Sequence, residues 1–184
     1  MKKYNWGIIG CGKIAHNFAQ DLSIAENANL YAVASRSHSK AVNFGKKYNA
    51  SKTYGSYQEL ANDPNIDVIY IATPHVFHCE NTLMCLNAGK AVLCEKAFGM
   101  NQVEVQKMVD LAQKKGIFLM EALWTRFIPG TEKVLELIQN DISDSIDGLQ
   151  AILKENDDLR QRLSNFIDKQ GVMLDVVATG KEIK

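Results

Sequence analysis

Gly10-Cys11-Gly12-Lys13-Ile14-Ala15 is the stretch on which the reading of this chain turns. It spells GxGxxA, directly behind a β-branched run at 5–10. Directly ahead lies an amphipathic segment with Ile14, Phe18 and Leu22 on one face, the spacing of a helix stripe. Gly10 permits the tight turn, and Gly12 lets the backbone approach a pyrophosphate with no side chain in the way. Ala15 keeps helix and strand close. The helix N-terminus then offers free N–H groups and a positive dipole end to the phosphates. A glycine turn alone is weak, since such turns also serve plain structure; its strand–turn–helix setting makes it a dinucleotide cradle. Gly10, Cys11, Gly12, Lys13, Ile14 and Ala15 are therefore read as cofactor-binding.

Outward from this turn, short apolar runs alternate with helical stretches. Residues 30–35, 67–72, 91–94 and 117–121 each have the composition of a buried parallel strand. Helical patterns end at Gly89 and Gly116, each followed by a strand, as a left-handed cap predicts. Asn101, with Glu104 three residues on, has the form of a capping box. Strands alternating with helices predict an α/β fold: a Rossmann-type, doubly wound parallel sheet with right-handed crossovers.

The second strand carries a further signal. In NAD-binding domains an acidic residue ~20 positions past the glycines accepts hydrogen bonds from the adenosine ribose. Here that region reads Ala34-Ser35-Arg36-Ser37, with no carboxylate. Ser35 and Ser37 can donate to a 2′-phosphate and Arg36 can grip its oxygens, with His38 and Lys40 adding polar or positive character nearby. NADP is the expected cofactor, with NAD as the alternative.

Composition narrows the classes. The 184 residues are 46% hydrophobic and 23% charged, which suits one globular domain with a short appendage. Lys plus Arg and Asp plus Glu number 21 each, so neither nucleic acid nor a membrane is expected as partner. No run approaches the ~20 apolar residues of a membrane span, and Lys13 cuts the opening stretch too short for a signal-peptide core. Cys11, Cys79, Cys85 and Cys94 show no CxxC spacing and read as reduced thiols of a cytoplasmic protein.

The character of the chain changes near residue 140. Of its 15 aromatic residues only Phe166 lies beyond that point. Positions 142, 145, 149, 152, 156, 159, 163 and 166 alternate three and four apart and are mostly apolar, predicting a helix over 142–166. Asn156 takes a seam position, where a buried Asn can set register in a helix pair, making this helix a candidate homo-oligomer contact. A helix packed on its own domain is the plainer reading. Gly171 ends the pattern, and 172–178 has the composition of a short strand. The expected organisation is a dinucleotide-binding domain at 1–122, an exit helix at 123–140 and a helical tail at 141–184.

Taken in order, several stretches resemble the Gfo/Idh/MocA oxidoreductase family, and within it the branch of dimeric dihydrodiol and NADP-dependent D-xylose dehydrogenases. They are GIIGCGKIA at 7–15, AVASRS at 32–37, YGSYQELANDPNIDVIYIATPHVFH at 54–78, GKAVLCEKAFGMN at 89–101 and FLMEALWTRFIP at 118–129. The resemblance covers roughly residues 4 to 140. It implies a nicotinamide-dependent dehydrogenase acting on a small-molecule sugar, polyol or diol. It also implies that Thr73, Pro74 and His78 belong to a loop along the cofactor, and that Glu95 and Lys96 match a Glu-Lys-Pro motif. The Lys of that motif lies near the reacting carbon, so Lys96 is the catalytic candidate, with Ala97 departing from the usual Pro. Trp124 and Arg126 match residues bordering the nicotinamide. His75, His78 and Cys79 invite a metal reading, but histidines three apart with no further cluster are poor zinc ligands, and no metal is expected.

The same resemblance implies a second α+β domain that supplies substrate contacts and a His or Tyr for proton transfer. No His follows His78 and no Tyr follows Tyr70, so that domain is read as missing from this chain, the helical tail being a truncation, a frameshift or a genuine replacement. Weak or no turnover is expected from this chain alone. The alternative function is a dinucleotide-binding regulatory or interaction protein without turnover.

Overall fold

A strand buried on both faces must be apolar at successive positions, and β1 (Tyr4–Ile9) reaches that state at Gly7, Ile8 and Ile9. The computed structural model describes residues 2–153. In it β1 pairs on one side with β2 (Ala28–Ala34), which pairs with β3 (Lys52–Tyr54). On the other side follow β4 (Val68–Ile71), β5 (Ala91–Cys94) and β6 (Leu119–Glu121). The order is β3-β2-β1-β4-β5-β6, and every neighbouring pair is parallel. The order reverses between β1 and β4, which is the switch point of a doubly wound sheet.

Helices α1 (Lys13–Leu22), α2 (His38–Tyr48), α3 (Tyr57–Ala61), α4 (His78–Asn87) and α5 (Gln102–Lys115) make the crossovers. Side chains alternate across the strands, so each strand feeds two cores. Ile8, Val33 and Tyr70 meet Ala15, Ala19 and Phe44 in one layer. Ile9, Ala34, Ile71 and Cys94 meet Leu60 and Leu86 in the other. Ile9 pairs with Ala34 and with Ile71, which brings the carboxyl ends of β1, β2 and β4 to one level.

Helix punctuation follows the sequence. Gly89 and Gly116 both adopt positive φ, and Asn101 Oδ1 accepts from the Glu104 N–H at 3.0 Å. The box closes one residue earlier than its usual form, because the Glu104 carboxylate accepts from the Met100 N–H at 3.0 Å.

Two elements depart from the sequence reading. β3 has no apolar run to announce it; Lys52-Thr53-Tyr54 at the sheet edge is held by its register on β2. The tail helix begins much earlier than expected: α6 (Pro129–Leu153) is continuous through the residues read as exit helix and tail. Pro129 suits the first helical turn, and no Gly or Pro interrupts 131–147. The rest of the expected 142–166 helix, Asn156 and the candidate strand at 172–178 lie outside the described residues. The chain divides into two units, Met1–Leu123 and Trp124–Lys184. Among the described residues no helix is long and apolar enough to cross a membrane.

Candidate cofactor site

Gly10 leaves β1 with φ +93°, and a Cβ there would meet the Ala72 carbonyl oxygen at 2.8 Å. Its N–H donates to the Ala34 carbonyl at 2.9 Å. The turn is thus wedged between the ends of β2 and β4, where no side chain fits. Gly12 is the opposite case: a Cβ on it would meet nothing within 4 Å. It caps α1 without any side-chain bond, so the first-turn N–H groups of the helix have no partner from the cap. Lys13 and Ile14 are exposed, whereas Ala15 is fully buried beneath the turn. These three contribute backbone, and Ala15 sets the close packing of α1 on the sheet.

A cleft of about 360 Å³ opens beside this turn, lined from the three strand ends. Gly10, Cys11 and Gly12 come from β1, Ser35, Arg36 and Ser37 from β2, and Thr73 and Pro74 from β4. Lys40, Tyr57 and Ala72 line the cleft as well; the sequence marks Lys40 only as a neighbour and gives no signal for the other two. Tyr57 is carried in by α3, and no local pattern marks it. None of the lining residues is a carboxylate.

The groups at the end of β2 are oriented. Ser35 is buried, and its Oγ accepts from the Ser37 N–H at 3.3 Å, which leaves its hydroxyl proton to give away. The Arg36 guanidinium stacks on Phe77, 5.3 Å from the ring centroid. Burial raises the Tyr57 phenol above its ordinary range, with Arg36 working in the opposite sense. Burial likewise pushes the Cys11 thiol up to about 11 against the pull of Lys40, so Cys11 lines the cleft as a neutral thiol.

Behind the cleft, two loops are tied together. His78 is fully buried, its Nε2 2.8 Å from the Thr73 carbonyl and its Nδ1 2.8 Å from the Ala97 carbonyl. Both ring nitrogens face backbone carbonyls, and a neutral imidazole donates its one N–H to either, so His78 bridges the loops rather than reaching into the cleft. Asn81 Nδ2 adds a bond to Thr73 Oγ1 at 3.1 Å. The Glu95 carboxylate takes the Tyr70 hydroxyl at 2.5 Å and the Lys96 N–H at 3.2 Å, while the Phe98 N–H donates to Glu121 at 2.9 Å. Residues 95–98 are therefore fixed at successive positions, and the Lys96–Ala97 peptide is cis. The Lys96 side chain is exposed, and among the described residues its ammonium has no hydrogen-bond or ion-pair partner. Trp124 and Arg126 lie on the 3-10 turn Trp124–Phe127, which begins the second unit.

This donor set fits a dinucleotide. A glycine with open space above it, an uncapped helix start, two cations and two serine hydroxyls face a cleft without a carboxylate. Among the described residues no group of three or more His, Cys, Asp or Glu could hold a metal ion.

Known proteins resemble this chain over the same region. Trans-1,2-dihydrobenzene-1,2-diol dehydrogenase of Mus musculus is 49% identical over 142 residues, covering 76% of this chain and 43% of that enzyme. The Bos taurus enzyme of that name is 39% identical over 173 residues, 93% of this chain and 52% of that one. The chain thus matches about half the length of these relatives or less. A solved 3-ketoreductase from Actinomadura kijaniata, in complex with NADP and TDP-benzene, superposes with a TM-score of 0.72. It is 26% identical, over 76% of this chain and 43% of that one. A Klebsiella pneumoniae NAD binding oxidoreductase gives a TM-score of 0.71 at 29% identity, over 75% of this chain and 39% of that one. Residues 4–123 match the family described as "Oxidoreductase family, NAD-binding Rossmann fold", and with that match this chain belongs to the Gfo/Idh/MocA oxidoreductases.

Proposed function

We propose that the chain binds NADP(H) and serves hydride transfer between the nicotinamide and a hydroxyl-bearing carbon of a diol, polyol or sugar. The observation that carries the cofactor choice is the end of β2, where Ser35, Arg36, Ser37 and Lys40 line a cleft without any carboxylate. An acid at that place would repel a 2′-phosphate; a guanidinium beside an ammonium and two hydroxyls would bind it. The diol class is taken from the relatives' names and the resemblance.

Gly10 and Gly12 would admit the diphosphate and the start of α1 would hydrogen-bond it, while Arg36 and Lys40 would hold the phosphomonoester. Bound there, the cofactor supplies the hydride acceptor. Lys96 is assigned the substrate hydroxyl. Its ammonium, unpaired among the described residues, can donate to that oxygen and stabilise the charge that grows on it as the hydroxyl proton passes to solvent, to which Lys96 is exposed. The ties on Glu95, Ala97 and Phe98 support this role by fixing the backbone from which Lys96 projects.

Titration of wild type and Arg36→Ala with NADPH and NADH tests the reading. Loss of the guanidinium is expected to weaken NADPH about 10–100-fold and leave NADH within a few-fold. Equal weakening of both would overturn the 2′-phosphate assignment, and no binding of either by wild type would overturn the cofactor reading itself.

A further inference from the structure

Glu95 stands at the carboxyl end of β5 with hydrogen-bond donors around it; among the described residues no cation lies within 4.0 Å of its carboxylate, and the ammonium of the adjoining Lys96 is exposed. Tyr70 Oη donates to one carboxylate oxygen at 2.5 Å and the Lys96 N–H to the other at 3.2 Å. Among the described residues no Lys, Arg or His nitrogen pairs with it. Glu95 is 8% exposed and Tyr70 1%. Tyr70 also lies flat against Phe18, ring centroids 3.8 Å apart, which keeps the phenol aimed at Glu95. Burial first, then the bond to Glu95 and its negative charge, push the phenol above its ordinary range, so Tyr70 donates and does not ionise. A negative group shielded from water and held by neutral donors acts over several ångströms with far less screening than one in solvent.

Topology says what stands opposite it. A dinucleotide crosses an open sheet where the strand order reverses. With the phosphomonoester groups at the end of β2, the other half of the molecule falls on the β4–β5 side, where Glu95 is. We propose that the Tyr70–Glu95 pair is a fixed negative pole that makes this site favour the oxidised cofactor, whose nicotinamide ring is cationic, over the reduced one, whose ring is neutral. The inference rests on the cofactor reading above and adds to it a preference for redox state.

Calorimetric titration with NADP+ and NADPH in parallel tests it. Wild type is expected to bind NADP+ more tightly than NADPH. Glu95→Gln, nearly isosteric but neutral, should lower the NADP+ preference about fivefold or more, and Glu95→Asp should keep it within about twofold. A Gln variant in which both affinities fall together at an unchanged ratio assigns Glu95 a structural role only and overturns the proposal. Should that variant fail to fold, the wild-type ratio decides, and an equal or tighter grip on NADPH overturns it. Binding of neither form by wild type is a different failure, that of the cofactor reading, and removes this inference with it.

Discussion

Gly10 and Gly12 are two residues apart in one turn, and the surroundings ask opposite things of them. Gly10 needs to be glycine for the fold: its φ is +93° and a Cβ would lie 2.8 Å from the Ala72 carbonyl oxygen. Gly12 has φ −87° and ψ −177°, which any residue adopts, and empty space where its Cβ would go. Gly10→Ala is therefore expected to cost about 1–3 kcal/mol of stability in urea melts. Gly12→Val should cost less than about 1 kcal/mol while weakening NADPH at least about tenfold, because its methyls fill the place of the diphosphate. Wild-type affinity in Gly12→Val would refute the cradle. The glycine spacing was legible in the sequence because the turn is local. Tyr57 was not, since only the packing of α3 carries it to the cleft. His78 was legible as a special position but not in its role, which depends on the Ala97 carbonyl nineteen residues away.

At the scale of elements, the loop after α3 shows how charge holds one crossover. Asp63 is buried and accepts from Tyr54, Lys52 and the Asn65 N–H, at 2.7, 3.0 and 2.9 Å. Burial alone would raise its carboxyl; the bonds from Tyr54, Asn65 and Lys52 outweigh it and hold the group well below the ordinary carboxylate range. A carboxyl depressed on folding contributes stability that is complete above its unfolded value of ~3.9 and is lost as pH falls through the folded one. Wild type should therefore lose stability as pH drops below about 4 more steeply than Asp63→Asn, which is less stable at neutral pH. Parallel slopes in urea melts across that range would remove Asp63 as the cause. The same region marks the limit of pattern reading. Five strands could be read because a strand covered on both faces must be apolar, whereas β3 is polar and edge-placed, and owes its existence to β2. The change of composition near residue 140 has no counterpart in the backbone of α6, which runs unbroken from Pro129 to Leu153.

At the scale of the molecule, cofactor binding can be tested apart from turnover. The first unit, Met1–Leu123, contains the cradle, the β2 groups and Lys96, and the family match spans 4–123. The family resemblance implies an acid–base His or Tyr in a second domain, a region that the match over 4–123 does not reach. A site that can hold cofactor gains stability from it by mass action, about 2.7 kcal/mol at a hundred times Kd, or on the order of 10 °C in Tm for a unit of this size. A reaction lacking a positioned proton acceptor loses ~10²–10⁴ in rate even when the cofactor is in place. The purified 184 residues should then show a clear upward shift of Tm with NADP+. Their oxidation of a trans-dihydrodiol should be slower by that factor than the Mus musculus relative measured beside them. A Tm shift with brisk oxidation would mean that Lys96 alone, or a group among the residues after Lys96, moves the proton. No shift at all would instead mean that the turn at 10–15 does not hold the cofactor, because hydride transfer beside Lys96 requires an occupied first unit.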